Sequence, residues 1–256
     1  MILMQTRGVS VKKFLSLTLI LSVIMIVFSG CFQSTKTLTV GTDATYEPFE
    51  SIDESGNFVG LDIELIEMVA AEMNMELEIK NVNWDGIIPG LLNGNYDCLI
   101  AAMTITEERQ KQISFSEPYF SIKQVIVVKE ENDQIKTPAD LIGKTVTAQI
   151  GTTGDLYASS INGINMKRFD TNPQAVQELL NNNADAAVMD DLVASEVISR
   201  NPGLKMIEIT DIEAEYYGIG VRKENTELLE KINQALEVLK NNGKLSELIQ
   251  KYKPGN

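Results

Sequence analysis

The chain has 256 residues and a formal net charge of −14, with 22 Lys and Arg against 36 Asp and Glu. A protein this acidic repels phosphate backbones, so nucleic acid is excluded as an expected partner. The sequence has no histidine and only two cysteines, which removes the commonest general base and the usual ligands of structural zinc. We therefore expect neither a metal nor a cofactor. Cys98 lies in an apolar run, which predicts a buried free thiol.

Residues 1–30 have the pattern of a signal peptide. Three cations precede an apolar stretch from Phe14 to Phe28, about fifteen residues and thus too short to span a bilayer. The stretch ends in Ser-Gly-Cys and resembles a bacterial or archaeal lipobox. We predict cleavage before Cys31, acylation of its thiol, and anchoring to the outer face of the cell membrane, with residues 31–36 as a tether. An ordinary signal peptide or a membrane helix is the alternative.

From residue 37 onward, strand patterns and helix patterns alternate. The first half predicts strands over 38–40, 77–82 and 97–102 and helices over 61–73 and 86–92. The second half predicts a helix from Pro138 to Gly143, strands over 145–149 and 184–189, and helices over 172–180, 225–239 and 244–252. This alternation favours an α/β fold with largely parallel sheets.

One internal echo points to two similar lobes. Residues 91–97 and 179–185 match at five of seven positions, and each segment ends in an aspartate that leads into an apolar strand. A generic connection between a helix and a strand is the alternative explanation. Since ligands of open α/β sheets sit beyond the carboxyl ends of the strands, residues 101–104 and 189–191 are predicted to reach a shared site.

Five motifs carry a resemblance to a known family: GTDATYEPFE (41–50), GLDIELIE (60–67), AAMTITEERQ (101–110), QIGTTG (149–154) and NADAAVMDD (183–191). On these the chain resembles the polar amino-acid-binding proteins of ABC importers, which include glutamine-, histidine- and lysine/arginine/ornithine-binding proteins. The resemblance covers residues 37–253. It implies a two-lobed periplasmic-binding-protein-like fold with mixed, mostly parallel sheets and a hinged central cleft. Residues 37–120 and 217–256 would form the first lobe, and residues 121–216 the second.

The resemblance also implies a clamp for the charged groups of an amino acid, both of which must be paired when water is excluded. Arg109 would bind the carboxylate through its guanidinium fork, assisted by Thr104 and by Thr153 at a helix start. Asp190 would bind the ammonium together with the carbonyl of Ala102. A helix N-cap is the alternative role for Asp190.

Other residues would surround the ligand side chain. By the same resemblance, Asp43 would meet its polar end, which Gln149 would also face. Ala101 and Ala102 replace a pair of serines found in the histidine and lysine/arginine/ornithine binders. In this respect the chain looks more like the glutamine binder. Three aromatic residues would flank the side chain: Tyr46, Phe49 and Trp84.

The expected function is that of a monomeric extracytoplasmic lipoprotein that delivers a free L-amino acid to the permease subunits of an ABC importer. Arginine or lysine is the favoured ligand because Asp43 and the aromatics suit a flat cation, and glutamine is next. An amino-acid-sensing receptor module is one alternative. A cyclohexadienyl-dehydratase-like enzyme is another, but the motifs supply no acid or base beyond Asp43 and Asp190, so no enzyme is expected.

Overall fold

The computed structural model describes residues 36–253, which form an α/β fold. In chain order the strands are β1 (Thr37–Thr42), β2 (Thr45–Tyr46), β3 (Glu50–Ile52), β4 (Phe58–Val59), β5 (Glu76–Asn81), β6 (Cys98–Leu99), β7 (Ser114–Phe115), β8 (Phe120–Ile122), β9 (Gln124–Lys129), β10 (Thr145–Gln149), β11 (Asn165–Phe169), β12 (Ala186–Asp190), β13 (Leu204–Glu208), β14 (Glu215–Tyr217) and β15 (Gly220–Val221). The α-helices of the described residues are α1 (Leu61–Glu72), α2 (Trp84–Leu92), α3 (Glu107–Gln110), α4 (Thr153–Ser160), α5 (Asn172–Leu180), α6 (Asp191–Arg200), α7 (Thr226–Asn241) and α8 (Lys244–Lys251).

Two five-stranded sheets share one arrangement. The first has the strand order β5-β1-β6-β15-β7, and the second has the order β11-β10-β12-β9-β13. In each sheet the first three strands are parallel and the fourth is antiparallel to both of its neighbours. Parallel neighbours need a crossover connection, which the alternating helices supply. The predicted α/β class with mixed, mostly parallel sheets is confirmed.

The echoed segments occupy equivalent places in the two sheets. The first precedes β6 and the second precedes β12, and both strands lie beside the central parallel strand of their sheet. The carboxylate of Asp97 accepts a hydrogen bond from the N–H of Thr39 at 2.9 Å. The carboxylate of Asp185 accepts one from the N–H of Thr145 at 2.7 Å. The echo therefore marks a repeated structural unit in which an aspartate ties the loop to the start of the central strand.

The chain crosses between the sheets twice. It leaves the first sheet through β8 and returns through β14, and these two strands pair antiparallel to each other. Tyr217 of β14 packs against the rings of Phe49 and of Phe120 in β8, at centroid distances of 5.1 and 6.0 Å. The two connections thus form one short antiparallel ribbon, which packs on the ring of Phe49.

Burial explains why strands β9 and β12 of the second sheet are nearly continuous apolar runs. Val125 and Val127 of β9 pack into the large cluster that also contains α6, while Ile126 and Val128 pack into a separate cluster on the opposite face. A strand covered on both faces needs apolar residues at every position. In the first sheet, α1 packs against α7 and α8 through its own apolar stripe.

Several predicted boundaries were wrong. The strand expected over 97–102 ends at Leu99, because the backbone turns and Ala102 adopts a left-handed conformation with φ of 44°. The helix expected from Gly86 begins two residues earlier, at Trp84. The helix expected from Pro138 is a single 3-10 turn that ends at Leu141. Among residues 36–253, no helix is both long enough and apolar enough to cross a membrane.

Candidate functional site

A small cavity lies where the carboxyl ends of the parallel strands of both sheets meet. Asp43 follows β1, and Ala101 and Ala102 follow β6, whereas Gln149 and Asp190 end β10 and β12. The lining residues are Asp43, Tyr46, Glu50, Trp84, Ala101, Ala102, Thr104, Arg109, Gln149, Thr152, Thr153 and Asp190. Ten of the eleven residues expected around a ligand therefore share one cavity.

Arg109 is a buried cation held between the two sheets. The hydroxyl of Thr106 accepts the backbone N–H of Arg109 at 3.2 Å and so caps the short helix α3 that carries it. Its guanidinium donates to the carbonyl of Thr104 at 2.8 Å and to that of Gly151 at 3.1 Å. The guanidinium carbon also lies 5.1 Å from the centre of the Trp84 ring. These contacts fix the guanidinium in place, although burial lowers the pKa of Arg109.

Asp190 is the buried anion on the other side of the cavity. Its carboxylate accepts a hydrogen bond from the hydroxyl of Tyr46 at 2.8 Å, and further ones from Tyr217 and Gln124. Asp190 is the N-cap residue of α6, but its side chain does not cap the helix and points to the cavity instead. Burial raises the pKa of Asp190 to about 6, while the hydrogen bonds from Tyr217 and Tyr46 oppose that rise. At neutral pH the group is a carboxylate.

Thr153 belongs to a hydrogen-bonding network that reaches Asp190 through the amide of Gln124. Its hydroxyl donates to the carboxylate of Glu215 at 2.7 Å and accepts from the amide of Gln124 at 3.0 Å. The hydroxyl of Thr104 lies 3.5 Å away. Thr153 is the first residue of α4, whose start is capped by Thr152. Helix starts leave backbone N–H groups free, so this corner of the cavity favours an anion.

The far end of the cavity offers hydrogen-bond acceptors. The side-chain amide of Gln149 donates to the carboxylate of Asp43 at 3.2 Å, across the two sheets. Thr45 donates to the same carboxylate at 3.1 Å. Burial raises the pKa of Asp43, and these hydrogen bonds oppose it. The carbonyl oxygen of the Gln149 side chain is buried and has no hydrogen-bond partner among the described residues.

Sequence comparison identifies the family. Residues 38–255 match the family described as bacterial extracellular solute-binding proteins, family 3. The chain belongs to this family. It is 33% identical over 223 residues to a probable histidine-binding protein of Neisseria gonorrhoeae, covering 85% of this chain and 83% of the relative. It is also 33% identical over 241 residues to ABC transporter arginine-binding protein 1 of Escherichia coli K12, covering 92% and 98%.

Solved structures confirm the fold of this solute-binding protein. An ancestral arginine-binding protein bound to arginine is 46% identical and superposes with a TM-score of 0.81, covering 84% of this chain and 97% of that one. The same kind of protein bound to glutamine is 45% identical with a TM-score of 0.81, covering 86% and 99%. The expected two-lobed periplasmic-binding-protein-like fold is confirmed. These relatives are named as binding proteins, so the role of the chain is solute binding rather than catalysis.

The three aromatic residues expected beside the ligand of the solute-binding protein differ in their placement. Phe49 does not line the cavity: it is fully buried and packs edge-on against Phe120 and Tyr217, because it belongs to the base of the crossing strands. Tyr46 does line the cavity, but its hydroxyl is bonded to Asp190 and extends the polar network. Trp84 stacks on the guanidinium of Arg109.

Residues from the crossing region were missed. Gln124, Glu215 and Tyr217 all contact Asp190 or Thr153, yet none was expected at the site. A usable signal existed, since 120 and 217 were already the predicted lobe boundaries. Gln124 follows β8 and Glu215 begins β14, so the polar side chains that flank the predicted boundaries were candidates. Glu50, a further buried residue of the lining, gave no such signal.

Proposed function

We propose that this chain is the extracytoplasmic solute-binding component of an ABC importer and captures a free polar amino acid between two lobes. The observation that carries the proposal is the cavity with opposite charges on its two sides. Arg109 and Asp190 are the cation and anion that a zwitterion requires, and both are buried. The names of the histidine- and arginine-binding relatives support an amino acid as the solute and an ABC transporter as the partner.

In the proposed clamp, the guanidinium of Arg109 binds the α-carboxylate, together with Thr104 and Thr153. The start of α4 adds backbone N–H groups on the same side. Asp190 and the carbonyl of Ala102 bind the α-ammonium. Each charged group of the ligand thereby replaces its lost hydration with a charged partner.

Arginine or lysine is the proposed ligand, and glutamine is the second candidate. The carboxylate of Asp43 and the free carbonyl oxygen of Gln149 can both accept from the donors of a guanidinium. The net charge of the cavity also favours a cation, since the carboxylates of Asp43 and Asp190 face the single cation Arg109 among the lining residues that the structure describes. Glutamine stays in second place because the ancestral arginine-binding protein also binds it.

Closure is proposed to occur about the paired strands β8 and β14. Residues 37–120 and 217–256 would move as one lobe, and residues 121–216 as the other. Several contacts of the cleft would form only on closure, including the bond between Gln149 and Asp43 and that between Arg109 and the carbonyl of Gly151. The ligand would then stabilise the closed state through groups from both lobes.

Lipid anchoring through Cys31 is a further part of the proposal, and this residue lies outside the described range. The family is extracellular, which agrees with an exported protein tethered at the membrane surface. Cys31→Ala expressed in the native host is expected to release the protein from the membrane fraction. A mutant that stays as firmly membrane-bound as the parent would mean that something else anchors it.

Thermal unfolding of the purified protein against the twenty amino acids, ornithine and citrulline tests the proposed solute. A ligand that binds the folded state raises the melting temperature by mass action, by an amount that grows with ligand concentration. Arginine or lysine is expected to give the largest rise. A panel in which no amino acid shifts the melting temperature would reject the proposed function, and a rise with glutamine alone would replace the first ligand by the second.

A further inference from the structure

Two buried carboxyl groups lie behind the proposed ammonium site. Glu50 of β3 is 1% exposed and Asp62, in the first turn of α1, is fully buried. One oxygen of Asp62 accepts hydrogen bonds from the backbone N–H of Ala102 and from the hydroxyl of Tyr119, both at 2.7 Å. The other oxygen of Asp62 and Oε2 of Glu50 are buried and receive no donor from another described group. The backbone N–H of Asp62 donates to the carbonyl of Phe49, the residue before Glu50, at 2.9 Å, so the two side chains start from neighbouring backbone. Each carboxyl therefore acts on the pKa of the other.

Two ionised carboxylates in this position would be strongly unfavourable. No Lys or Arg within residues 36–253 makes an ion pair with either group, and the other groups that face the pair are the carboxylates of Asp43 and Asp190 and the phenols of Tyr46 and Tyr119. A proton on Glu50, donated to Asp62, satisfies both unpartnered oxygens at once. Asp62 is the ionised member because it already accepts two other hydrogen bonds. Burial and the charges of Asp62 and Asp43 raise the pKa of Glu50 well above its usual range.

The pair acts on the cavity through Ala102. This residue has φ of 44°, a left-handed conformation that is unfavourable for a residue with a Cβ. Its N–H is bonded to the buried carboxylate of Asp62, and a charge-assisted hydrogen bond of this kind is stronger than a neutral one. The bond offsets the strain and fixes the peptide plane between Ala101 and Ala102. The carbonyl of Ala102 lies in the next peptide plane, so Asp62 acts on its direction through the left-handed backbone of Ala102, which lines the cavity.

We propose that Glu50 and Asp62 share one proton and act as positioning residues for the ammonium site, with ionised Asp62 holding Ala102 in its left-handed conformation. Glu50 keeps Asp62 in place and hides the second negative charge from the ligand. The positioning role rests on the proposed function, whereas the shared proton is a property of the ligand-free protein.

The shared proton is tested first, without any ligand. Carbon-13 NMR of the side-chain carboxyls, recorded between pH 4 and 8 on the ligand-free protein, is expected to show a Glu carboxyl that stays protonated at pH 7. Its signal should disappear in Glu50→Gln. A titration in which all Asp and Glu carboxyls are ionised at pH 7 would overturn the proposal, whatever solute the protein binds.

The positioning role is tested by calorimetry with L-arginine. Asp62→Asn is expected to weaken binding roughly ten- to a hundredfold, the usual effect of losing a hydrogen bond to a charged group. Glu50→Gln, which still donates to Asp62, should lose less affinity than Glu50→Leu. The matched control is Asp97→Asn, because Asp97 also accepts a backbone N–H at 2.9 Å and a hydroxyl at 2.7 Å, both from Thr39, but does not line the cavity.

The possible outcomes separate the two claims. The positioning role would be overturned if Asp62→Asn bound arginine within about threefold of the wild-type affinity. It would also be overturned if Asp97→Asn lost as much affinity for arginine as Asp62→Asn. A wild-type protein that binds no amino acid would reject the proposed function and the positioning role together. The NMR titration would still decide the shared proton.

Discussion

Truncating the proposed carboxylate clamp has the largest predicted effect on binding. Arg109 is 9% exposed, and its guanidinium donates to the carbonyls of Thr104 and Gly151 at 2.8 and 3.1 Å. In Arg109→Ala the α-carboxylate of a bound amino acid would stay buried without its cation. Stranding one member of a buried ion pair typically costs about 3–5 kcal/mol, or roughly 150- to 5,000-fold in affinity. The affinity of Arg109→Lys should lie between those of wild type and Arg109→Ala, since an ammonium keeps the charge but cannot bind a carboxylate with two parallel hydrogen bonds.

Isothermal titration calorimetry with arginine measures the loss, and Arg222→Ala is the matched control. Arg222 also donates to two backbone carbonyls, those of Leu91 and Tyr96 at 3.1 and 2.8 Å, but it does not line the cavity. Its removal should leave the affinity for arginine nearly unchanged. The reasoning is refuted if Arg109→Ala binds within about threefold of wild type, or if both variants lose affinity equally.

Three further perturbations probe the rest of the cleft. Asp43→Asn should weaken arginine binding by about 2 kcal/mol and glutamine binding by less, because only arginine loses a pair of opposite charges. Calorimetry on both ligands would detect the difference. Asp190 must be ionised to bind an ammonium. The affinity of the wild-type protein should therefore fall as the pH drops below the raised pKa of Asp190, about 6, and should be about tenfold lower at pH 5 than at neutral pH. Asp190→Asn should bind weakly at both neutral pH and pH 5. Glu47 and Arg200 form an exposed ion pair between the β2–β3 loop and α6. Glu47→Gln should destabilise the closed state by at most about 1 kcal/mol. Stopped flow should then show faster ligand release than wild type at low salt but not at high salt, where the pair is screened.

The charged centre of the site was predictable from the sequence because short motifs fix it locally. Arg109 lies in the short helix α3 and Asp190 ends β12, and each placement falls within a single motif. The left-handed backbone of Ala102 was not predictable, since it depends on a hydrogen bond that its N–H donates to Asp62, forty residues away along the chain. Nothing in the local run 97–102 indicates that the strand must end at Leu99.

The residues that sequence reasoning misplaced depend on tertiary contacts. Phe49 sits in the same loop as Tyr46, yet one is buried against Tyr217 while the other reaches the cavity. An aromatic side chain in a loop carries no information about which side it will face. Gln124 and Glu215 reach Thr153 only because the two crossing strands pair with each other, a contact between segments about ninety residues apart. Periodicity within a segment does not encode such pairing.

The central claim is that the protein recognises the α-carboxylate and the α-ammonium of one amino acid together. Calorimetric titration of the purified protein with L-arginine, agmatine and N-acetyl-L-arginine tests it most directly, since agmatine lacks the carboxylate that Arg109 would bind and the acetyl derivative lacks the ammonium that Asp190 would bind. Arginine is predicted to bind at one site per chain, and each analogue should bind at least about a hundredfold more weakly. Agmatine or N-acetyl-L-arginine binding as tightly as arginine would contradict the clamp.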